Sequence, residues 1–252
     1  MPPRALRPAG IVLVDKQAGP SSFAIVAELR RRTAARTGHT GTLDPFATGL
    51  LVLLSGAATK IAACFVGLDK RYITDVDLTA TTSTGDPEGE VVERHEPPPL
   101  PELEERLAGL RGEVELPIPA ASAVKIGGER AYRLARRGVV VEMPLRRSQV
   151  YSLDVLAYTG DSVRIGLRVS SGTYVRAIAA AVGGHCVTLR RTAVGPFGVD
   201  EVNPNLLIRP SAALARLSAE AVEGVSEGVR ASVVAVEEPA ELTLPTMSVV
   251  RL

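Results

Sequence analysis

One carboxylate stands out in the stretch Gly38-His39-Thr40-Gly41-Thr42-Leu43-Asp44-Pro45-Phe46-Ala47-Thr48-Gly49. The three glycines permit backbone angles that other residues avoid, and Pro45 pushes Asp44 toward an extended conformation. The stretch therefore reads as a shaped loop, not a helix interior or an ordinary strand. Asp44 lies between Leu43 and, past the proline, Phe46. A carboxylate flanked by apolar side chains is costly to keep charged unless a cation or hydrogen-bond donors answer it. Two readings follow from these residues alone. Asp before Pro is a common start of a turn, and a polar loop holding an awkward carboxylate is also where catalytic groups tend to sit.

Other reactive arrangements are missing. No Gly-Lys-Ser/Thr ending follows the glycines, so no phosphate-cradling loop is present, and there is no dinucleotide fingerprint. Asp75-Val76-Asp77-Leu78-Thr79 imitates the aspartyl-nucleophile pattern of haloacid-dehalogenase-like phosphatases. That chemistry wants its first Asp at the carboxyl end of a buried parallel strand. Here both aspartates fall in mid-alternation on the polar face of a strand with Arg71 and Thr79. No Gly-x-Ser-x-Gly elbow supports a serine hydrolase. His39 is the only histidine beside a candidate site; His95 and His185 are expected in turns, without a specific role. Cys64 and Cys186 are far apart and in no metal-ligand spacing, which predicts reduced structural thiols, no structural zinc and a cytoplasmic setting.

With 252 residues, 46% of them hydrophobic and 23% charged, the chain is long enough for a sizeable core. Arg4 and Arg7 precede an apolar run, Ile11 to Val14, that is too short for a signal peptide, and the longest run of Leu, Ile and Val, Leu50 to Leu54, suits a buried strand and not a membrane span. The net charge of +1 hides a segregation: residues 1–84 carry +4, 85–119 carry −7, 120–200 carry +7 and 201–252 carry −3. Near-neutrality is therefore compatible with a nucleic-acid partner, because two basic segments can face phosphates while the acidic one faces away. Arginine outnumbers lysine 25 to 4, which suits phosphate contacts and equally suits a biased genome composition.

The elements that must carry these residues can be read in order. Ile11 to Asp15 is an expected strand. Ser21 or Ser22 caps a helix to about Arg36, with Phe23, Val26, Ala27 and Leu29 as its apolar stripe. Leu50–Leu54 is a strand, and Ala57–Val66 a helical stretch packing Ile61 and Phe65, with Cys64 as a core residue. From Lys70 to Ala80 the residues alternate as a strand, with Tyr72, Thr74, Val76, Leu78 and Ala80 on one face. A polar loop, Thr81–Gly89, contains Asp86; Val91-Val92 resumes a strand, and Pro97–Pro99 is a rigid linker before a short helix carrying Leu103, Leu107 and Leu110. A hairpin turns at Gly127-Gly128, a basic helical turn covers Tyr132–Arg137, and a second hairpin joins Val150–Tyr158 to Ser162–Ser170. Tyr174–Val182 is a helix carrying Arg176, and Leu189–Val194 a strand. This is an α+β pattern without internal repeats. A shift to Ala, Val and Glu places a domain boundary near 203, giving domains of residues 1–202 and 203–252.

The stretch 38–49 resembles the catalytic motif of the TruB-type tRNA pseudouridine-55 synthases. Leu13-Val14-Asp15-Lys16, Gly19-Pro20-Ser21-Ser22, Asp69-Lys70-Arg71-Tyr72, Ser122-Ala123-Val124-Lys125, Arg130-Ala131-Tyr132, Gly172-Thr173-Tyr174-Val175-Arg176 and Leu189-Arg190-Arg191-Thr192 follow in that family's order and approximate spacing. The resemblance covers residues 10 to 200. It implies a pseudouridine-synthase fold: a mixed, mostly antiparallel sheet with flanking helices and a central cleft. It also implies isomerisation of one uridine in the TΨC stem-loop of tRNA by a cytoplasmic monomer without metal, organic cofactor or membrane.

In such an enzyme Asp44 is the catalytic carboxylate, Arg176 its cation, and Tyr72 stacks on the base and helps remove the C5 proton. Leu189 packs against the uracil and His39 fills the RNA loop as bases are extruded. Tyr174, within the motif of Arg176, is a substrate-side residue. Lys16, Lys70 and the arginines near 130–137 and 190–191 are candidate phosphate contacts. The chain departs from the family pattern at Leu116-Pro117-Ile118-Pro119-Ala120-Ala121-Ser122-Ala123, where an aromatic before the serine is missing. Its last fifty or so residues are too few for a full PUA domain, so a shortened or divergent PUA-like region is expected. A second class, a tRNA-binding or tRNA-refolding protein with secondary or lost catalysis, tolerates these departures; intact Asp44, Tyr72 and Arg176 argue for the enzyme.

Overall fold

The computed structural model describes residues 9–139, 141–223 and 225–234. In chain order the elements begin with β1 (Gly10–Lys16), α1 (Ser22–Thr33), β2 (Thr37–His39), β3 (Thr48–Ser55), a 3-10 helix (Gly56–Ile61), α2 (Ala63–Val66) and β4 (Lys70–Asp77). β5 (Ala80–Thr82), β6 (Val91–Arg94), α3 (Leu100–Gly109), β7 (Gly112–Pro117), β8 (Lys125–Ile126), β9 (Glu129–Arg130) and α4 (Ala131–Arg136) follow. The rest are β10 (Leu145–Tyr158), β11 (Ser162–Val169), α5 (Val175–Ala181), β12 (His185–Val194), β13 (Phe197–Gly198), a second 3-10 helix (Val199–Glu201), α6 (Pro210–Leu214), α7 (Ala219–Glu223) and α8 (Glu227–Val234). The chain divides into two compact units, one of Met1–Lys70 with Arg190–Leu252, the other of Arg71–Leu189.

In the first unit β3 is the central strand. β1 runs antiparallel along one edge of it, from Gly10 opposite Ser55 to Lys16 opposite Gly49. The other edge is shared. β2 pairs antiparallel with its second half, Thr37 opposite Ser55 to His39 opposite Leu53, while β12 pairs parallel with its start, Arg190 opposite Thr48 and Arg191 opposite Gly49. Both faces are covered, which is why Ile11–Val14 and Leu50–Leu54 are unbroken apolar runs. Val12, Val14, Leu51 and Leu53 pack with Val26 and Leu29 of α1. Ile11, Leu13, Leu50, Val52 and Leu54 pack on the opposite face with Ile61, Phe65, Phe197, Ala213 and Val233.

Thus residues after 203 add to this same core, and Ile208 exchanges two backbone hydrogen bonds with Ile11, at 2.8 and 2.9 Å. The division into units falls at 70/71 and 189/190, away from the expected boundary at 203. The expected small domain of 203–252 and the N-terminal Arg4 and Arg7 lie partly or wholly outside the described residues.

In the second unit β4, β11, β10 and β7 lie side by side in that order, with the residues of β12 up to Leu189 on the free side of β4. The alternation expected of β4 holds, since Tyr72, Thr74 and Val76, and beyond the strand Leu78 and Ala80, are all buried. The β8–β9 turn at Gly127-Gly128 has positive φ at both residues, as a two-residue hairpin turn requires. Asp75, in the phosphatase-like pattern, is held by Arg164 in a bidentate pair and by the Thr188 hydroxyl, with its carboxyl below the usual value chiefly through the Arg164 bond. Mixed sheet pairing, mostly antiparallel, with flanking helices agrees with the α+β expectation.

Several local expectations need correction. α1 stops at Thr33, not near Arg36, because Ala34 turns left-handed at φ 49°. Its inward stripe is Ser22, Val26, Leu29 and Thr33; Ser21 is the cap, so Phe23 falls off the stripe and is 70% exposed. β7 and the first residues of β10 were not visible as strands: their outward Glu113, Glu115 and Arg147 form ion pairs across the two strands, and Val114 is the one apolar side chain that β7 buries fully. β12 begins at His185, which is not in a turn; its Nδ1 lies 2.9 Å from the Ala80 carbonyl.

Gly49 has φ +103°, and a Cβ there would lie 2.2 Å from the carbonyl oxygen of Arg191 in the neighbouring parallel strand. Gly49→Ala is therefore expected to destabilise the fold by about 2–4 kcal/mol, combining left-handed strain with a backbone clash. A urea unfolding midpoint equal to that of the wild type would refute this close approach.

Candidate active site

Asp44 sits in the connection between β2 and β3. The two strands pair as far as Thr40, whose N–H donates to the Val52 carbonyl at 3.1 Å; beyond it they part. The freed backbone groups are met by side chains. The Ser22 hydroxyl donates to the Leu43 carbonyl at 2.9 Å and accepts from the Leu43 N–H at 2.8 Å. Lys16 Nζ donates to the carbonyls of Pro45 at 3.0 Å, Ala47 at 2.6 Å and Gln17 at 2.9 Å. Arg191 donates from Nε to Leu50 at 2.7 Å, from Nη2 to Gly41 at 3.1 Å and from Nη1 to Thr42 at 3.4 Å. The Ala47 N–H closes a turn on the Asp44 carbonyl at 3.1 Å, and Gly19 N–H reaches Pro45. Asp44 itself is half-buried, behind a buried Leu43. Its main chain is thus held on both sides.

Lys16 and Lys70, expected as phosphate contacts, are 1% and 4% exposed. Lys16 serves the loop carbonyls, and Lys70 Nζ donates to the carbonyls of Val66 and Leu68. Neither presents a surface charge to a phosphate. Arg190 is paired bidentately with Asp15, and Arg191 is 2% exposed. For Lys16 and Arg191 the reason is local: β1 and β12 flank β3 where the hairpin opens, so these two side chains fold inward onto unpaired carbonyls.

This clustering has electrostatic consequences. Burial, with the charge of Arg191 adding to it, lowers the Lys70 ammonium to about 8, and Asp69 opposes that. Burial pushes the half-buried His39 below the usual histidine value, and Arg191 again adds to it, so the ring is neutral at pH 7. Gly41 N–H donates to His39 Nδ1 at 3.3 Å, which leaves the ring hydrogen on Nε2.

The remaining expected site residues belong to the second unit. Tyr72 is 9% and Leu189 6% exposed; Tyr174 is the half-buried residue preceding α5. Arg176, 2% exposed, donates to the carbonyls of Thr84 at 2.6 Å and Ala121 at 2.9 Å and pairs with the buried Asp86 at 3.2 Å. Asp86 accepts in turn from the Thr84 hydroxyl and the Glu88 N–H. The structure therefore brings Lys16, His39, Asp44 and Lys70 around one loop, and fixes Arg176 through a partner that the sequence left in an unremarkable polar loop. Ser22, Asp86 and the inward role of Arg191 were missed. Two adjacent serines before a helix offered the one available hint, since only one of them can be the cap.

Comparison with known proteins identifies the class. Residues 30–175 match the family described as TruB family pseudouridylate synthase (N terminal domain), and the chain belongs to that family. It is 43% identical over 208 residues to a protein of Mycobacterium sp. (strain KMS) named tRNA pseudouridine synthase B, covering 77% of this chain and 70% of the relative. A protein of the same name from Corynebacterium jeikeium (strain K411) is 40% identical over 247 residues, covering 88% and 80%. Among solved structures, a chain of a Cbf5-Nop10-Gar1 complex superposes with a TM-score of 0.57 at 29% identity over 76% of this chain, which spans half the length of that one. The fold is that of the pseudouridine synthases.

Two outcomes test the site's electrostatics. Lys70 holds its proton less tightly folded, at about 8, than at its ordinary 10.5. Between those values the unfolded chain binds more protons, so stability rises with pH through that window. In Lys70→Met that rise is expected to shrink by on the order of 3 kcal/mol, read from urea unfolding at pH 7.5 and 10.5. Asp86→Ala, which leaves Arg176 buried without this counter-ion, is expected to cost about 3–5 kcal/mol in the same measurement.

Proposed function

We propose that this protein converts uridine 55 in the TΨC stem-loop of tRNA to pseudouridine, with Asp44 as the catalytic carboxylate. The observation that carries the reading is the family match, which runs through the Asp44 loop and Tyr72 and ends just short of Arg176. The names of the relatives supply the substrate class.

The reaction is an isomerisation. The bond from C1′ of the ribose to N1 of uracil breaks, the base turns, C5 bonds to C1′, and the C5 proton leaves while N1 gains one. Nothing is oxidised or reduced and no group is transferred to a second molecule. Asp44 acts in one of two ways: it adds to C1′, or it takes a sugar proton toward a glycal. Both begin from an ionised carboxylate, so a nearby cation assists both, and Arg176 fills that role. Tyr72 stacks on the base and assists loss of the C5 proton. Leu189 and Tyr174 bound the base, and His39, neutral with a hydrogen on Nε2, faces the RNA loop as a donor. Extrusion of the target base costs a few kcal/mol of unstacking. A monomer working on tRNA in the cytoplasm completes the reading.

The test is tritium release from tRNA transcript carrying 5-tritiated uridine. Wild type is expected to release tritium from normal transcript and not from one with cytidine at position 55, and Asp44→Asn to release none while still binding tRNA. Release by Asp44→Asn would sink the catalytic assignment. Tight tRNA binding with no release by the wild type would favour the tRNA-refolding class instead.

A further inference from the structure

Arg191 occupies an unusual place for a charge. It is 2% exposed, and among the described residues its hydrogen-bond partners are carbonyl oxygens, with no carboxylate paired to it. A buried guanidinium without a counter-ion is costly, and apolar packing of equal volume is often the more stable choice. Its position accounts for its presence. Continued past Thr40, the β2–β3 ladder would set Gly41 and Thr42 opposite Leu51 and Leu50. Instead the strands part, β12 enters beside the start of β3, and the guanidinium bridges the gap, taking Gly41 and Thr42 on one side and Leu50 on the other. Lys16, 1% exposed, does the same from β1 on the far side of Asp44, at Pro45 and Ala47.

We propose that Arg191, together with Lys16, is a positioning residue of the reaction: the two buried cations fix the backbone before and after Asp44, so the carboxylate has a single placement. The inference rests on Asp44 being catalytic. Arg191 touches neither substrate nor reacting atoms in this scheme. Its effect is on the rate of the chemical step and not on tRNA affinity, because the side chain is enclosed. A misplacement of about 1 Å is enough to lower a rate about 100-fold.

The experiment compares Arg191→Met, Arg191→Lys and Lys16→Met with wild type and with Asp44→Asn. It measures single-turnover tritium release, tRNA dissociation constant and thermal midpoint, with rates corrected for folded fraction. Arg191→Met is expected to release tritium about 100-fold more slowly while the dissociation constant stays within about threefold. Arg191→Lys is expected to recover part of the rate, because one ammonium can reach some but not all of the three carbonyls. Lys16→Met is expected to follow Arg191→Met. A folded Arg191→Met with a rate within about threefold of wild type overturns the proposal, provided Asp44→Asn is inactive; an active Asp44→Asn overturns the catalytic reading instead. If Arg191→Met does not fold, Lys16→Met decides by the same criteria. If neither folds, or if rate and affinity fall together, the cations serve stability alone and the proposal fails.

Discussion

A strand ladder that opens must find new partners for the backbone groups it frees. In this protein the rule governs the candidate site, because the carboxylate of interest lies where β2 and β3 part company. With Asp44 as the catalytic residue we propose, the loop has to leave the sheet to display it and has to be rigid to aim it. Free water would satisfy the first need and defeat the second. The fold satisfies both with three side chains drawn from three elements: Lys16 at the end of β1, Ser22 in the first turn of α1 and Arg191 in β12. Each element is anchored in the first unit by its own packing, so the loop inherits their rigidity.

The same solution shapes the local field. Carbonyl oxygens can hold a cation in place without cancelling its charge, whereas a carboxylate does both. Arg190 and Arg176 have carboxylate partners, Asp15 and Asp86; Arg191 takes carbonyls. Its charge is therefore felt by its neighbours, and both His39 and Lys70 are pushed toward their neutral forms by it, in addition to burial. An uncancelled positive charge disfavours protonation of the basic groups near it, and these two side chains show it.

Much of this was legible in the sequence. Apolar runs gave β1 and β3, alternation gave β4, and Gly-Gly gave the β8–β9 turn, because these signals depend only on near neighbours. The Asp44 loop could be picked out from its glycines, its proline and its stranded carboxylate. The direction in which long cationic side chains point was not legible. Lys16, Lys70, Arg190 and Arg191 look like surface charges in a list of residues, and a phosphate-binding role is then the natural expectation. For Lys16 and Arg191 only the pairing of β3 with β1, β2 and β12 shows that unmatched carbonyls lie inward of them, and that is a long-range property; Lys70 turns to the carbonyls of Val66 and Leu68, and Arg190 to Asp15. Asp86 was hidden for a similar reason, since its counter-ion is ninety residues away along the chain. β7 escaped although Val114 and Leu116 alternate with Glu113 and Glu115, because only two apolar positions in so short an edge strand make a weak period.

Arg176 and Asp44 thus illustrate two ways of making a charged group precise. Arg176 is a cation fixed by an anion and two carbonyls, so its orientation is set within the second unit at no cost in net charge. Asp44 lies in a stretch of main chain that is fixed, through the carbonyls around it, by cations. Lys16 and Arg191 grip the peptide groups on either side of it, and the need of those freed carbonyls for fixed partners accounts for two buried cations in a core that ordinarily excludes charge.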